Sequence, residues 1–321
     1  MDLHPYSRLT PDVVLDAISA AGLRPDGRLL SLNSYENRVY QVWLEDNTVV
    51  VAKFYRPERW SEQQIDEEHD FARELAEREI PVVAPSHSLR FAGFRIAIYP
   101  RRGGRTPELG DPRTLEWIGR FIGRIHAVGA TRKFKHRETL TPQSFGHEPR
   151  AFLLKGSWLP ADLLASWKAV TEQALGGVER CYERAGGVAH IRLHGDCHPG
   201  NILWTEDGPH FVDLDDSRMG PAVQDLWMLL SGDRAAMGVQ FRHVLNGYDE
   251  FAEFDGRERH LIEALRTLRL IHYSAWIARR WDDAAFPAAF PWFNTQRYWQ
   301  DRILELREQI ALMEEEPIAV S

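Results

Sequence analysis

The sequence has few cysteines, no surplus of basic residues and no long apolar run, and each absence excludes a class of protein. Only Cys181 and Cys197 occur among 321 residues, too few for a disulfide framework, which favours a reducing compartment and two reduced thiols. Lysine and arginine number 39 against 47 acidic residues, a net charge of -8, so no global basic field attracts nucleic acid or an anionic membrane. No stretch approaches the roughly 18 apolar residues that span a bilayer, and the start MDLHPYSRLTPDVV lacks a secretory pattern. We therefore expect a cytoplasmic protein with no nucleic-acid or membrane partner.

The texture of the chain predicts two unequal lobes without internal repeats. The early stretch RLLSLNSYENRVYQVWLEDNTVVVAKFYRP is typical of three strands, the last two joined by a tight turn. Ser61 and Gln64 then have the spacing of a helix capping box, and FRIAIYP predicts a further strand that leads into RRGGR, the expected connection between lobes. We predict an α+β fold of two lobes, with a β-rich domain at residues 1–100 and a larger helical domain at residues 101–321.

The second domain is expected to be mostly helical. The segments TLEWIGRFIGRIHAVG and PAVQDLWMLLSG, and the run from about Glu258 to Met313, show helical periodicity. Two prolines in AAFPAAFPWF should interrupt the last of these.

The stretch IRLHGDCHPGNILW contains an aspartate and an asparagine, Asp196 and Asn201, five positions apart. This is the aspartate-to-asparagine spacing of a kinase catalytic loop. There the aspartate accepts or orients a substrate hydroxyl, and the neutral asparagine oxygen ligates Mg²⁺. Downstream, NILWTEDGPHFVDLDD predicts a hairpin that turns at Asp207-Gly208 and brings Asn201 and Asp213 side by side as two metal ligands.

A lysine in the first domain could supply the cation for nucleotide phosphates. Lys53 lies in TVVVAKFY, a run too apolar for a solvated strand, so this lysine should have an anionic partner. Glu68 interrupts the inward apolar stripe of the following helix. We therefore predict a Lys53–Glu68 ion pair that positions Lys53 on the α- and β-phosphates.

These motifs resemble a known superfamily. HGDCHPGN, FVDLDD and GPAVQDL are similar to the motifs of the aminoglycoside phosphotransferase and choline kinase-like superfamily. NSYENRVYQV, EEHDFARELAEREIPV and HYSAWIARRWDDAAFP extend the resemblance to the bacterial stress response kinase A group of serine/threonine protein kinases, over about residues 31–293. The resemblance implies Asp196 as the catalytic aspartate, Asn201 and Asp213 as Mg²⁺ ligands, Ser34 as an ATP contact, and a monomer.

The sequence also departs from ordinary protein kinases. The phosphate-covering loop NSYENRVY contains no glycine, so Ser34 or a backbone amide would have to replace the glycine-rich loop. His194-Gly195 stands where those kinases have His-Arg, and only 12 positions separate Asp213 from Asp225. Control by phosphorylation of an activation loop is therefore not expected.

Several polar residues of these motifs also have structural interpretations. A zinc site at His194, Cys197 and His198 is disfavoured because no further ligand pair completes a tetrahedral set. We expect His194 to hold the catalytic loop as a neutral imidazole, and Asp225 to accept backbone amides in the first turn of a helix. For Asp215, a solvated loop carboxylate is favoured over a ligand of a second metal.

The late aromatic residues in HYSAWIARRW and FPWFNTQRYW are expected to be mostly core. The alternative is functional: Arg269, His272, Trp276 and Arg280 recur at helical spacing and could form one wall of the acceptor groove. Such a wall would favour acidic or phosphorylated acceptors.

Together these patterns and the resemblance predict a stress-response kinase of two-lobed, protein-kinase-like α+β fold that transfers the γ-phosphoryl group of ATP to a hydroxyl, with Mg²⁺ as cofactor. Serine and threonine of proteins, including the enzyme itself, are the favoured acceptors. One alternative is a small-molecule kinase of the homoserine, choline, sugar or aminoglycoside type, because this fold serves both. A nucleotide-binding pseudokinase is the other, and the intact set of Lys53, Glu68, Asp196, Asn201 and Asp213 argues against it.

Overall fold

The computed structural model describes residues 5–320, in which nine strands and nine α-helices occur. The strands are β1 (Pro25–Leu32), β2 (Arg38–Leu44), β3 (Val49–Phe54), β4 (His87–Phe91), β5 (Phe94–Pro100), β6 (Ile191–Leu193), β7 (Ile202–Thr205), β8 (Gly208–Phe211) and β9 (Arg218–Gly220). The helices are α1 (Pro11–Ala20), α2 (Glu62–Glu77), α3 (Pro112–Gly129), α4 (Glu148–Lys155), α5 (Leu164–Ala185), α6 (Arg234–Tyr248), α7 (Ile262–Ala278), α8 (Ala285–Ala289) and α9 (Gln296–Glu314).

The chain divides into two compact units, and the first is built on a sheet. It comprises the chain up to Thr106 together with Gly200–Asp215. Strands β1 to β5 form one antiparallel sheet in the order β1-β2-β3-β5-β4. Ile18 of α1 packs in one cluster with Phe54 of β3, whereas Ile65 of α2 packs with Ala97 of β5. Both faces of the sheet are therefore buried, which explains why TVVVAKFY is so apolar.

The hairpin of β7 and β8 belongs to this sheet unit although it follows the sheet by about a hundred residues of chain. The Arg105 and Trp204 backbones bond reciprocally, with N–O distances of 3.0 and 2.7 Å, and the Val83 amide donates to the Phe211 carbonyl at 3.0 Å. These bonds satisfy backbone groups that would otherwise be unpaired at the edges of the hairpin. The predicted boundary at residue 100 assigns this hairpin to the second domain, whereas its backbone contacts are with the sheet unit.

The second unit comprises Pro107–Pro199 and Asp216–Ser321 and is mostly helical, as expected. Helices α3 and α6 approach so closely that a Cβ on Gly247 would lie 1.9 Å from the Glu116 carbonyl oxygen. Only glycine fits such an approach. The contact also places Tyr248 of α6 beside His126 of α3, with the hydroxyl 3.0 Å from Nδ1.

The expected helix over PAVQDLWMLLSG is wrong. This segment forms two short 3₁₀ turns, Ala222–Asp225 and Trp227–Leu229. Consecutive residues are buried here rather than one stripe: Val223, Gln224, Asp225 and Leu226 are each at most 5% exposed. Tertiary burial on several sides thus replaces the helical periodicity on which the prediction depended.

The late aromatic residues are largely core, as predicted. Trp299 is fully buried and packs edge-on against Trp167 at 5.0 Å between ring centroids, and Phe286 and Phe293 are also buried. Trp292 is an exception at 44% exposure. Over residues 5–320, no helix combines the length and apolarity that crossing a bilayer requires.

Candidate active site

Lys53 is the charged centre of the site in the sheet unit. It lies opposite Ala97 in the β3–β5 register, and its Nζ atom is 2.6 Å from Oδ1 of Asp213 and 3.6 Å from Oδ1 of Asp215. Burial alone would lower the pKa of Lys53, but the carboxylates of Asp213 and Asp215 raise it well above its usual value. The amine is therefore a permanent cation, as a phosphate-binding lysine must be.

The Lys53–Glu68 pair predicted from the sequence is present, at 4.0 Å between Nζ and Oε1. A closer partner of Glu68 was missed: the Tyr55 hydroxyl donates to Glu68 Oε1 at 2.9 Å and lies 2.8 Å from His69 Nε2. Burial, followed by the Glu68 charge, raises the pKa of Tyr55, so the phenol keeps its proton and remains a donor. Lys53 also lies 5.4 Å from the Tyr55 ring centre. Tyr55 follows Lys53 by two residues. Because side chains two positions apart in an extended segment lie on the same face, the sequence could have predicted that Tyr55 is close to Lys53.

The hairpin of β7 and β8 brings Asn201 and Asp213 close along the backbone, as predicted, but one residue out of register. Ile202 pairs with Phe211, and the Val212 amide donates to the Asn201 carbonyl at 3.0 Å. Asp213 therefore follows the partner of Asn201 rather than facing it. The turn residues are 206 and 207, and Gly208 already belongs to the strand.

Asp213 has an unusual backbone conformation with a φ of 61°. A left-handed non-glycine residue costs on the order of 1–3 kcal/mol, and such residues cluster at functional sites. Aspartate tolerates this region better than most residues. The Asp213 side chain is 50% exposed although it pairs with buried Lys53, so its carboxylate is accessible from solvent.

The oxygen donors at this point fit a magnesium ion. Asn201 and Asp213 offer one amide oxygen and one carboxylate, the hard ligands that Mg²⁺ prefers. No cage of three or more His, Cys, Asp or Glu side chains occurs in the part of the chain that the structure describes. Mg²⁺ bound together with a nucleotide does not need one, because phosphate oxygens and waters complete its coordination.

Asp215 is not the solvated carboxylate that the sequence favoured. It is only 4% exposed, and its Oδ2 accepts from Nδ2 of Asn37 at 3.0 Å and from the Arg59 guanidinium. A buried carboxylate needs such donors and cations to remain charged. Neither Asn37 nor Arg59 stood out in the sequence, because both are remote from Asp215 along the chain.

Ser34 lies where it was predicted, in the loop between β1 and β2, and is half-buried. Its contribution to nucleotide binding stays a prediction.

Asp196 lies in the helical unit, in the loop after β6. Its Oδ1 accepts from Nη1 of Arg269 at 2.8 Å, and its Oδ2 is 3.5 Å from Nε2 of His198. Buried His194 accepts a hydrogen bond at Nδ1 from the Asp196 amide at 3.4 Å. This agrees with the expectation that His194 holds the loop in place.

Asp225 anchors the loop that carries Asp196 through hydrogen bonds to its backbone. The two Asp225 oxygens accept from the His194 and Gly195 amides, each at 2.8 Å, and Oδ2 is also 3.0 Å from His126 Nε2. Burial favours a higher pKa for Asp225, but the His126 hydrogen bond and the Gly195 amide lower it below its usual value. Asp225 thus accepts backbone amides as predicted, but those of the catalytic loop rather than of its own turn.

Gly195 is required by geometry at the centre of this loop. It has a φ of 88°, and a Cβ there would lie 2.1 Å from the Asp216 carbonyl oxygen. No larger residue can adopt that position without displacing the backbone. This explains why His194-Gly195 replaces the His-Arg pair of ordinary protein kinases.

Cys197 is a buried free thiol. Burial, reinforced by the charges of Asp225 and Asp196, raises its pKa well above the usual value. The protonated sulfur therefore acts as a packing group rather than as a nucleophile.

The four residues proposed as an acceptor wall have different environments. Arg269 is exposed and contacts Asp196, whereas His272 stacks on Phe145 at 4.1 Å between ring centres. Burial, followed by the charge of Arg218, lowers the pKa of His272 to about 3, so it is neutral near pH 7. Arg280 lies over the Trp276 ring at 5.1 Å.

Several known proteins are similar to this chain. Residues 28–262 match the phosphotransferase enzyme family. Stress response kinase A of Escherichia coli is 44% identical over 321 residues, covering 98% of this chain and 97% of that protein. A Salmonella typhimurium protein described as serine/threonine protein kinase RdoA shares 44% identity with the same coverage.

Among solved structures, an amicoumacin kinase in complex with AMP-PNP, Ca²⁺ and Ami has a TM-score of 0.71 at 19% identity, covering 96% of this chain and 95% of that chain. A choline/ethanolamine kinase family protein from Mesorhizobium loti has a TM-score of 0.61 at 17% identity, covering 94% and 95%. At these identities the structural likeness establishes the fold alone, and the two-unit kinase-like α+β fold predicted from the sequence is confirmed. The chain belongs to the phosphotransferase enzyme family and is an ATP-dependent kinase.

Proposed function

We propose that this kinase transfers the γ-phosphoryl group of Mg²⁺-ATP to serine and threonine hydroxyls of proteins, its own chain included. The observation that carries the nucleotide part is the contact of a buried, charged Lys53 with Asp213, at 2.6 Å. Phosphoryl transfer depends on cations around the phosphates and on a metal ligand beside them. The relatives described as stress response kinase and serine/threonine protein kinase, at 44% identity over the full length, support the protein acceptor.

In the sheet unit, Lys53 would bind the α- and β-phosphates, and Glu68 with Tyr55 would hold the lysine in position. Asn201 and Asp213 would hold Mg²⁺, which when bound neutralises charge on the phosphate oxygens. Ser34 would contact the nucleotide from the loop between β1 and β2. The exchange of partners by Lys53, from Asp213 to a phosphate, keeps an anion beside the buried cation throughout.

In the helical unit, Asp196 would accept a hydrogen bond from the acceptor hydroxyl and orient its oxygen for attack. Arg269 bonds the other side of this carboxylate and holds its orientation. Arg269 is 44% exposed and has further N–H groups that can bind an acidic or phosphorylated residue near the acceptor. We therefore propose a preference for acidic sequences around the phosphorylated serine or threonine. A single copy of the chain, acting in the cytoplasm, satisfies this scheme.

The test is incubation of the purified protein with γ-³²P-ATP and Mg²⁺, with generic protein substrates in one arm and a panel of small alcohols, sugars and aminoglycosides in the other. Phosphoamino-acid analysis should find label on serine and threonine, and the Asp196→Asn variant should leave both arms unlabelled. Label confined to a small alcohol would contradict the protein acceptor and identify a small-molecule kinase. Nucleotide binding without transfer in either arm would identify a pseudokinase.

A further inference from the structure

The loop between β1 and β2 lacks the glycines of a phosphate-covering loop, yet its last two residues are buried. Glu36 is 8% exposed and Asn37 is 4% exposed, although polar residues in hairpin loops are normally solvated. The Asn37 amide is used at both ends: Oδ1 accepts from the Arg56 amide at 3.0 Å, and Nδ2 donates to Asp215 at 3.0 Å. Because the Asn37 oxygen faces a donor and its NH₂ group faces a carboxylate, only one orientation of the side-chain amide satisfies both hydrogen bonds.

One cation, Arg59, connects the same loop to Asp215, and a second, Lys53, connects Asp215 to Asp213. Arg59 contacts Asp215 through Nη1, and its Nε is 3.7 Å from Oε1 of Glu36. Lys53 lies between Asp213 and Asp215. Glu36 and Asp215 therefore share one guanidinium, and the two aspartates share one amine. Every side chain of this network except Asp213 is mostly withdrawn from solvent, so the interactions are weakly screened.

The Glu36 backbone has a further anchor. The Tyr6 hydroxyl donates to the Glu36 carbonyl at 3.1 Å, and it also lies 3.2 Å from the Phe54 carbonyl at the end of β3. The end of the loop is thus attached to β3 through Tyr6 and to the Asp213–Asp215 segment through Asn37. Side-chain hydrogen bonds here fix a backbone that glycine would leave adaptable.

We propose that Asn37 and Asp215 form a latch that holds the glycine-free loop 33–37, and with it Ser34, in the shape that receives the nucleotide phosphates. The proposal rests on the proposed function, because it takes this loop as the one that covers ATP. Asn37 and Asp215 are positioning residues: they act on nucleotide affinity through the loop, not on the reacting atoms. Because the loop is already ordered before the nucleotide arrives, little of the binding free energy is spent on ordering it.

The first experiment compares Asn37→Ala with the parent by hydrogen exchange of the loop amides in the free protein. We expect faster exchange at residues 33–37 in the variant, because the latch is open. Asn33→Ala removes an amide from an exposed residue of the same loop, and its loop exchange should match the parent. Asn37→Ser, a milder change, provides the same comparison if Asn37→Ala does not fold.

The second experiment separates binding from chemistry. Loss of one buried hydrogen bond to a charged group should weaken affinity for Mg²⁺-ATP on the order of tenfold, raising KM for ATP while kcat changes by less than about threefold. Adenosine, which lacks phosphates, should bind parent and variant equally. A fall in kcat with unchanged KM would overturn the latch, and so would loop exchange and ATP affinity equal to the parent.

A swap of the two residues is the sharpest test. Asn37→Asp alone places two carboxylates together in a buried position and should weaken ATP binding more than Asn37→Ala does. The double variant Asn37→Asp with Asp215→Asn restores a donor opposite a carboxylate and should recover part of the loss. A double variant no better than Asn37→Asp would refute the pairing. These binding measurements do not depend on the acceptor, so a protein that fails to label serine or threonine but shows the swap effect loses only the proposed acceptor.

Discussion

Replacing Asp225 with asparagine removes one charge from the buried core of the helical unit, and its cost can be worked out from the contacts of that carboxylate. Asp225 is inaccessible to solvent and accepts three hydrogen bonds, from the His194 amide, the Gly195 amide and the His126 ring. Asparagine has nearly the same volume but only one acceptor oxygen, and its NH₂ group must face at least one of these donors. The variant therefore loses an ion–dipole network without leaving a cavity.

A lost hydrogen bond to a charged group costs about 1.5–3 kcal/mol, and we take the upper end because the amide oxygen can keep at most the two bonds of Oδ2, which leaves the buried Gly195 amide facing an NH₂ group. In a helical unit of about 200 residues, about 3 kcal/mol corresponds to a fall in melting temperature of about 6–12 °C. The pKa of Asp225 is lowered in the folded protein, so the stabilisation is present above the ordinary carboxyl value of 3.8. It is lost as the pH falls through the lower, folded value.

The assay is thermal and urea unfolding of the parent, Asp225→Asn and a matched control at pH 7. Glu250→Gln is that control, since it makes the same chemical change in the same unit at an exposed pair with Arg120, where little stability is at stake. Asp225→Asn should also lower transfer at temperatures where it remains folded, because the loop that carries Asp196 loses its anchor. A melting temperature of Asp225→Asn within the range of the control would refute the reasoning.

The other predictions concern single carboxylates. Asp196→Asn should retain ATP affinity by calorimetry and lose phosphoryl transfer by about 10² or more; unchanged turnover would remove Asp196 from the chemistry. Asp213→Ala should abolish tight binding of Mg²⁺-ATP because the anionic metal ligand is lost, and equal affinity in a titration would contradict this. Burial raises the pKa of Glu258 to about 7, so the parent should lose stability as the pH rises from about 4.5 to 7, since only the folded state then holds the proton. In Glu258→Gln, the urea midpoint of unfolding should change less with pH over that window. If the midpoint depends on pH in the variant as it does in the parent, Glu258 is not a buried neutral acid.

The parts of the site that were predictable depend on local geometry. Ser61 and Gln64 form the capping box expected from their spacing, because a cap involves only four consecutive residues. The Lys53–Glu68 pair followed from two local patterns, an apolar strand run and a heptad-like helix stripe. Asn201 and Asp213 lie close together because a single turn determines a short hairpin. The predicted register differs from the observed register by one residue.

The parts that were missed depend on partners that the fold supplies from far along the chain. Asp225 was assigned to a helix of its own, yet its hydrogen-bond partners are at His126 and in the loop at residues 194–195. Periodicity cannot reveal such a partner, because it describes one segment and not what packs against it. The 3₁₀ turns at Ala222–Asp225 and Trp227–Leu229 were mistaken for a helix for the same reason.

Asp213 and Asp215 show where the limit of sequence reasoning lies, since they share the motif FVDLDD and the Lys53 amine but differ in exposure. The Asp213 side chain is 50% exposed and that of Asp215 is 5% exposed. Asp213 has a left-handed φ and Leu214–Asp216 forms a 3₁₀ turn, so the segment does not alternate as a strand that would place the two carboxylates on one face. The Asp213 carboxylate keeps solvent access that a metal ion and phosphates can replace, whereas the Asp215 carboxylate also binds Asn37 and Arg59. This irregular backbone separates a candidate metal ligand from a structural anion, and nothing in the residue types alone predicts it.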